Sequence, residues 1–271
     1  MELFSFLKYE FVQRAIIAGS FIALVCSILG VLLVLRGLSL IGDGLAHVTF
    51  GGVAIGLLLE QQPVYTAIPV VVLSSLGILK IIEKTKLYGD AAIGIVSSLG
   101  IAGGVLIASI AGGFNVDIFS FLFGNILAIS KTEVLTSIVL SLVVLLMITL
   151  FYHEHLSTAF DEEFARASGI NTRSINSLLV ILTGITVVLT MKVVGIMLTS
   201  SLLILPAVTG FQIARSFKSS MVTSAIFAVT AVLTGTSLSV ILNFPTGACI
   251  VMMNFIFFLV GSFYRNAVLK R

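Results

Sequence analysis

The sequence predicts an all-α fold, a polytopic bundle of eight or nine transmembrane helices forming one domain over residues 1–271. Three observations carry this. The chain is 58% hydrophobic and only 10% charged, which is not the composition of a soluble domain. Apolar runs of roughly 18 or more residues, the length that crosses a bilayer as a helix, follow one another along the chain. No charged residue occurs between Ser219 and Tyr264.

The elements follow in order. Residues 1–8 lack a basic start, and Glu10 and Arg14 interrupt the apolar character that follows. No removable leader is expected, and a short interfacial helix is. The first run covers 15–35 and ends at Arg36. The second covers 44–59 and ends in Glu60, Gln61, Gln62 and Pro63. Within it Gly52 and Gly56 have the small-xxx-small spacing that lets helices approach closely in lipid. The third covers 64–79 and ends in a basic turn with Lys80, Lys84 and Lys86. The fourth, 91–114, is rich in glycine. Residues 115–130, with Asp117 and the small-residue piece 124–128, read as a short or re-entrant helix. The fifth run is 134–152.

A polar break over 153–171 precedes the sixth run, 175–191, where Lys192 interrupts. The seventh, 193–214, contains Pro206, which removes one backbone bond and kinks a helix. Thr199, Ser200 and Ser201 stand a turn or so earlier, placed to satisfy freed carbonyls. Whether this segment crosses fully decides between eight and nine spans. The uncharged stretch 219–264 is too long for one span and is broken into two at Asn243, Phe244, Pro245, Thr246 and Gly247. Cys26 and Cys249 lie in apolar runs without a CxxC or thiolate site and read as buried thiols. The net charge of +3 reflects basic residues at helix ends and gives no nucleic-acid surface.

The stretch from Arg36 to His47 opens the second run. Asp43 and His47 are four residues apart, which puts both side chains on one helical face with Cβ atoms roughly 5–6 Å apart. A carboxylate beside an imidazole is a pair that divalent transition metals bind, and ionisable groups inside a membrane are costly and mark function. Two plainer readings stand beside this one: Asp43 as a helix N-cap, and His47 as a satisfied core histidine.

Phe160, Phe164 and Ala167 fall on one helical face, with Asp161, Glu162 and Glu163 on the rest and Gly169 as a stop. This is a short amphipathic helix. Three acids and one arginine suit an anionic leaflet poorly, so two phenylalanines ringed by charge favour a protein groove over the lipid surface. His153 and His155 are two apart and do not share a face; they read as solvated interfacial histidines in preference to a metal site. With nine alternating spans and the loop after Leu35 in the cytoplasm, only Lys8, Arg14, Lys131 and Lys192 of the fifteen Lys and Arg lie outside. That bias predicts N-out, C-in, with 160–171 in the cytoplasm. It also puts Asp43 near the inner end of its helix, whereas mid-membrane suits a pathway ligand better; a broken or tilted helix would reconcile the two. No GxxxxGK[ST] loop, serine nucleophile motif or HExxH is present.

Read as R-G-x-S-L-I-G-D-x-L-A-H-x-x-x-x-G-x-A-x-G, residues 36–56 resemble the signature of membrane subunits of bacterial ABC importers for zinc, manganese and iron. Residues 160–169, F-D-E-E-F-A-R-A-S-G, resemble that family's coupling helix. Residues 202–207, L-L-I-L-P-A, resemble its proline-bearing late helix, and 245–250 the start of its last span. These landmarks cover most of the chain. The family usually has Ser where Ala46 stands, a departure that leaves ligation untouched.

The resemblance implies a permease domain over 1–271, with a coupling helix at about 158–170, in a bacterial cell membrane. It implies a two-fold dimer of this chain on two ATPase subunits, with a metal-binding protein delivering the ion. The chain itself is then no enzyme and holds no permanent cofactor. Asp43 and His47 would line the metal pathway, and Phe160, Asp161, Glu162, Glu163, Phe164, Ala165, Arg166 and Gly169 would meet the ATPase. The cargo would be Zn²⁺, with Mn²⁺ or iron as the alternative by the same mechanism. Residues 11–15 and 124–128 look more like zinc members and rank zinc first. Rival readings are an intramembrane enzyme using Asp43 and His47 in acid–base chemistry, and an ion-coupled secondary transporter.

Overall fold

The computed structural model describes residues 9–85, 88–111, 122–124, 129–191 and 193–269. Its helices are α1 (Glu10–Leu35), α2 (Ile41–Leu58), α3 (Pro63–Thr85), α4 (Gly89–Ile110), α5 (Lys131–Leu150), α6 (Tyr152–Phe160), α7 (Glu162–Ala167), α8 (Thr172–Thr190), α9 (Thr199–Ile213), α10 (Phe217–Leu242) and α11 (Thr246–Tyr264). Among the described residues there is no strand. The interfacial helix expected at 1–8 and most of the re-entrant piece expected at 115–130 lie outside the described residues.

Among the described residues eight helices are long and apolar enough to span a membrane: α1 to α5, α8, α10, and α11 continued to Ala267. The doubtful ninth is α9. It has 15 residues, about 22 Å at 1.5 Å per residue, short of the ~30 Å hydrocarbon layer. The chain before it is unwound. Gly195 has φ +94 and ψ 154, a conformation open essentially to glycine alone, and a single 3-10 turn, Ile196–Leu198, leads into α9. This irregular backbone is sealed in protein, with Val193, Val194 and Ile196 buried, the condition under which a membrane helix can be interrupted.

Local chemistry sets the helix ends. Glu10 and Arg14 pair four residues apart, so α1 begins at Glu10 and takes in the polar residues that precede the apolar run. It ends in a Schellman turn: Gly37 has φ +66, its N–H donates to the Val34 carbonyl (3.2 Å), and Leu38 N–H donates to the Leu33 carbonyl (2.9 Å). Pro63 opens α3, where its missing N–H costs nothing. Ser130 and Glu133 form a reciprocal capping box at α5, and Asn171 and Ser216 cap α8 and α10.

α1 is the central post, buried along most of its length and packed by α5, α8, α9 and α10. α2 is wedged between α3 and α4. A Cβ on Gly52 would lie 2.7 Å from the Ala67 Cα, and one on Gly56 would lie 3.0 Å from the Pro63 Cα. The two glycines therefore set the α2–α3 distance, and the Thr66 hydroxyl donates across it to the Gly52 carbonyl at 3.1 Å. Pairs across helices show which ends share a side. Arg36 meets Glu162, Glu83 meets Arg173, and Phe217 packs at a tilt against Tyr152 and edge-on against Phe160. Glu10 and Lys131 meet at the opposite pole.

Gly52→Ala forces backbone against backbone and is expected to cost roughly 1–3 kcal/mol, a shift of several °C in detergent melting temperature. Gly77→Ala, with nothing within 4 Å of the added methyl, is the control and should melt at or slightly above the wild type, since alanine favours a helix interior over glycine. Equal melting temperatures for the two variants would show that α2 and α3 do not need this close approach.

Candidate functional site

Asp43 stands in the first turn of α2 and His47 one turn further on, with Oδ2 and Nε2 3.6 Å apart. Their side chains are 52% and 23% exposed, so the pair opens outward from the helix. Neither plainer reading describes them. The N-cap of α2 is Leu40, without a side-chain bond, and His47 is not sealed in the core. Asp43 and Gly52, like His47 and Gly56, are nine residues apart, half a turn round at about 100° per residue. The glycine face therefore presses α2 onto α3, and the carboxylate and imidazole point the other way.

The oxygen of Asp43 that does not face His47 has its own partner. Ser200 Oγ donates to Oδ1 at 3.2 Å, and Ser200 lies in the first turn of α9. The interruption before α9 brings these groups together. An unbroken helix through 193–214 would carry no N-terminus at this level, whereas the short α9 presents one beside the carboxylate. The dipoles of α2 and α9 both favour negative charge there. Asp43 meets the start of a broken helix, packed through Gly42 against Leu203, which in turn lies on Gly30 inside α1. The expectation that Thr199, Ser200 and Ser201 serve the Pro206 kink is corrected for the first two. Thr199 Oγ1 donates to the Gly195 carbonyl (2.9 Å) and lies 2.6 Å from Thr190 Oγ1, holding the unwound stretch, while Ser200 serves Asp43. Pro206 is buried within α9. Ser200 as a partner of Asp43 leaves no local signal, because 157 residues separate them. Among the described residues no third His, Cys, Asp or Glu joins Asp43 and His47.

The amphipathic helix expected over 160–167 is two helices. Asp161 breaks it with extended geometry (φ −152, ψ 103), and its side chain caps α7 by accepting from Phe164 N–H at 2.9 Å. Phe160 therefore ends α6 and Phe164 belongs to α7; they are 67% and 66% exposed. On α7, Ala165 is buried against the bundle, while Glu163, Phe164 and Arg166 face outward. Gly169, at φ +89, closes α7 in a second Schellman turn, with Ile170 N–H on the Ala165 carbonyl at 3.0 Å.

His153 is exposed, but His155 is buried to 2%, which corrects its reading as solvated. Its Nε2 has no hydrogen-bond partner among the described residues. Burial, aided by the Arg36 charge and opposed by Glu154, pushes its pKa down to about 4.

The ABC 3 transport family matches residues 8–265. The manganese transport system membrane protein MntC of Halalkalibacterium halodurans is 31% identical over 267 residues, 98% of this chain and 91% of that one. The high-affinity zinc uptake system membrane protein ZnuB of Haemophilus influenzae is 29% identical, over 95% of this chain and 99% of that one. The solved structure of PsaBC from Streptococcus pneumoniae in complex with Fab superposes with TM-score 0.86 at 32% identity, over 98% of this chain and 97% of that one. This is a multi-pass membrane transport permease rather than an enzyme. The chain belongs to the ABC 3 transport family.

Because the folded His155 binds its proton far below the ordinary value of about 6.5, the unfolded chain protonates first on acidification. The stability that neutral His155 provides is complete above pH 6.5 and is lost as pH falls towards 4. Melting temperature in detergent should fall more steeply from pH 6.5 to 5 for the wild type than for His155→Leu; parallel slopes would place the acid sensitivity elsewhere.

Proposed function

We propose that this chain is the membrane-spanning subunit of an ATP-driven importer of divalent metal ions, and that Asp43 and His47 line its pathway. The observation that carries this is the side-by-side carboxylate and imidazole, half open to the outside of a single copy, in a transport permease whose relatives are named for metals. Two ligands per chain make an incomplete site. A second copy related by a two-fold axis, or water, would supply the rest, and an incomplete shell lets a transported ion leave again.

Manganese ranks first as cargo. It is the metal most often named among the relatives, and carboxylate ligands suit it. Zinc is the second reading, favoured by the imidazole and by the zinc-uptake relative. The end of the bundle carrying Arg36, Arg166, Arg173, Arg215 and Arg265 belongs in the cytoplasm, giving N-out, C-in. There Phe160 and α7, with Asp161, Glu162, Glu163, Phe164, Ala165, Arg166 and Gly169, would form the docking element for a separate ATPase subunit. A metal-binding protein would deliver the ion at the opposite pole. The whole of 1–271 acts as one permease domain.

Uptake of manganese and zinc, assayed separately in a host lacking its own high-affinity importers, tests this. A complex carrying Asp43→Ala with His47→Ala should still assemble with its ATPase and take up neither ion. Ser200→Ala, which removes one hydrogen bond of about 1 kcal/mol, should weaken uptake at limiting metal only a few-fold. Unchanged uptake in the double variant would place the pathway elsewhere, and the wild-type preference names the metal.

A further inference from the structure

The turn that delivers Asp43 is anchored at its other end. Arg36 caps α1, and only 10% of its side chain is exposed. Its guanidinium donates to Asn176 Oδ1 on α8 and, at 3.1 Å, to Oε2 of Glu162, the first residue of α7. Asn176 Nδ2 lies 3.4 Å from the other oxygen of Glu162, which also accepts from Arg166 at 3.1 Å. Glu162 therefore uses both oxygens on neighbouring side chains and is half-buried, while its neighbours Glu163 and Phe164 are exposed.

A guanidinium this buried cannot lose its carboxylate cheaply, because the stranded charge keeps its desolvation cost. α7 is thus held to Arg36 by more than its single buried residue, Ala165. From Arg36 the path to the site is short and stiff. The Schellman bonds of Gly37 and Leu38 are followed by Ile41 N–H on the Leu38 carbonyl at 3.0 Å, and Asp43 comes two residues later. Among the described residues the other ion pair joining elements at this end, Arg173 with Glu83, is exposed and links α8 to α3, bypassing that turn.

We infer that Arg36 is a coupling residue: through Glu162 and Asn176 it ties α7 to the turn that carries Asp43, so that a displacement of α7 is passed to the metal-lining side chain. This rests on the reading above, in which α7 docks the ATPase and Asp43 lines the pathway. Arg36 touches no cargo; it acts by position.

The test uses the complete complex with its ATPase in proteoliposomes, measuring metal ions moved per ATP hydrolysed. Arg36→Gln and Asn176→Leu should each keep the ATPase in wild-type ratio yet lower ions per ATP roughly tenfold, the effect of losing a charge-assisted hydrogen bond. Arg173→Gln should leave the ratio unchanged. An unchanged ratio in both variants overturns the inference. So does loss of the ATPase from the complex, which would make Arg36 a support of the docking element and not a coupling residue.

A second measurement places spin labels at Leu40→Cys and Ser168→Cys, both exposed, with the native cysteines replaced. With otherwise wild-type residues the distance between the labels should stay constant with and without ATP; with Arg36→Gln it should shift or broaden on nucleotide binding. A distance that moves equally in both backgrounds overturns the inference. The label result does not depend on which residues hold the metal, so failure of the Asp43–His47 site would leave it standing.

Discussion

The unwound stretch before α9 is the constraint on which the rest of the site depends. A backbone that leaves the helix inside a low-dielectric bundle has to find partners for its polar groups. Here Gly195 makes the turn, the Thr199 hydroxyl holds its carbonyl, and Thr190 stands against Thr199. The result is a helix that starts part-way along the bundle, with Ser200 and a positive dipole end against Asp43. A carboxylate that would be a liability in a closed apolar core is thereby held and oriented.

α2 divides its work between two faces. Gly52 and Gly56 give up side chains so that α3 can approach, with Thr66 donating across the gap. Half a turn round, Asp43 and His47 are kept out of that contact. The close packing on one side fixes the aim of the other, because a helix pressed against backbone has little freedom to rotate about its axis.

Charge is arranged with the same economy at the pole that carries α6 and α7. Phe160, Glu163 and Phe164 are exposed, while Glu162 is half-buried against a buried arginine. Asp161 makes this possible: by capping α7 it breaks the helix that periodicity suggests, so Phe160 and Phe164 sit on separate helices that share one surface. His155, two residues past its exposed neighbour His153, goes into the core beside Arg36.

By itself the sequence determined the class and most of the elements. Uncharged runs of bilayer length dictate helices, Gly169 marks an end that a left-handed residue makes, and the four-residue spacing of Asp43 and His47 puts them side by side, since all of these depend on neighbours in the chain. The Phe160 pattern misled because a cap and a helix interior have the same periodicity until the Asp161 side chain is seen to bond Phe164. Only the tertiary structure decided that Ser200 serves Asp43, that His155 is buried and that Arg36 holds Glu162. The Ser200 and Arg36 contacts join residues more than a hundred positions apart, and the burial of His155 depends on helices brought from elsewhere in the chain. Such contacts follow from how helices cross and where one of them breaks, and no local pattern encodes that.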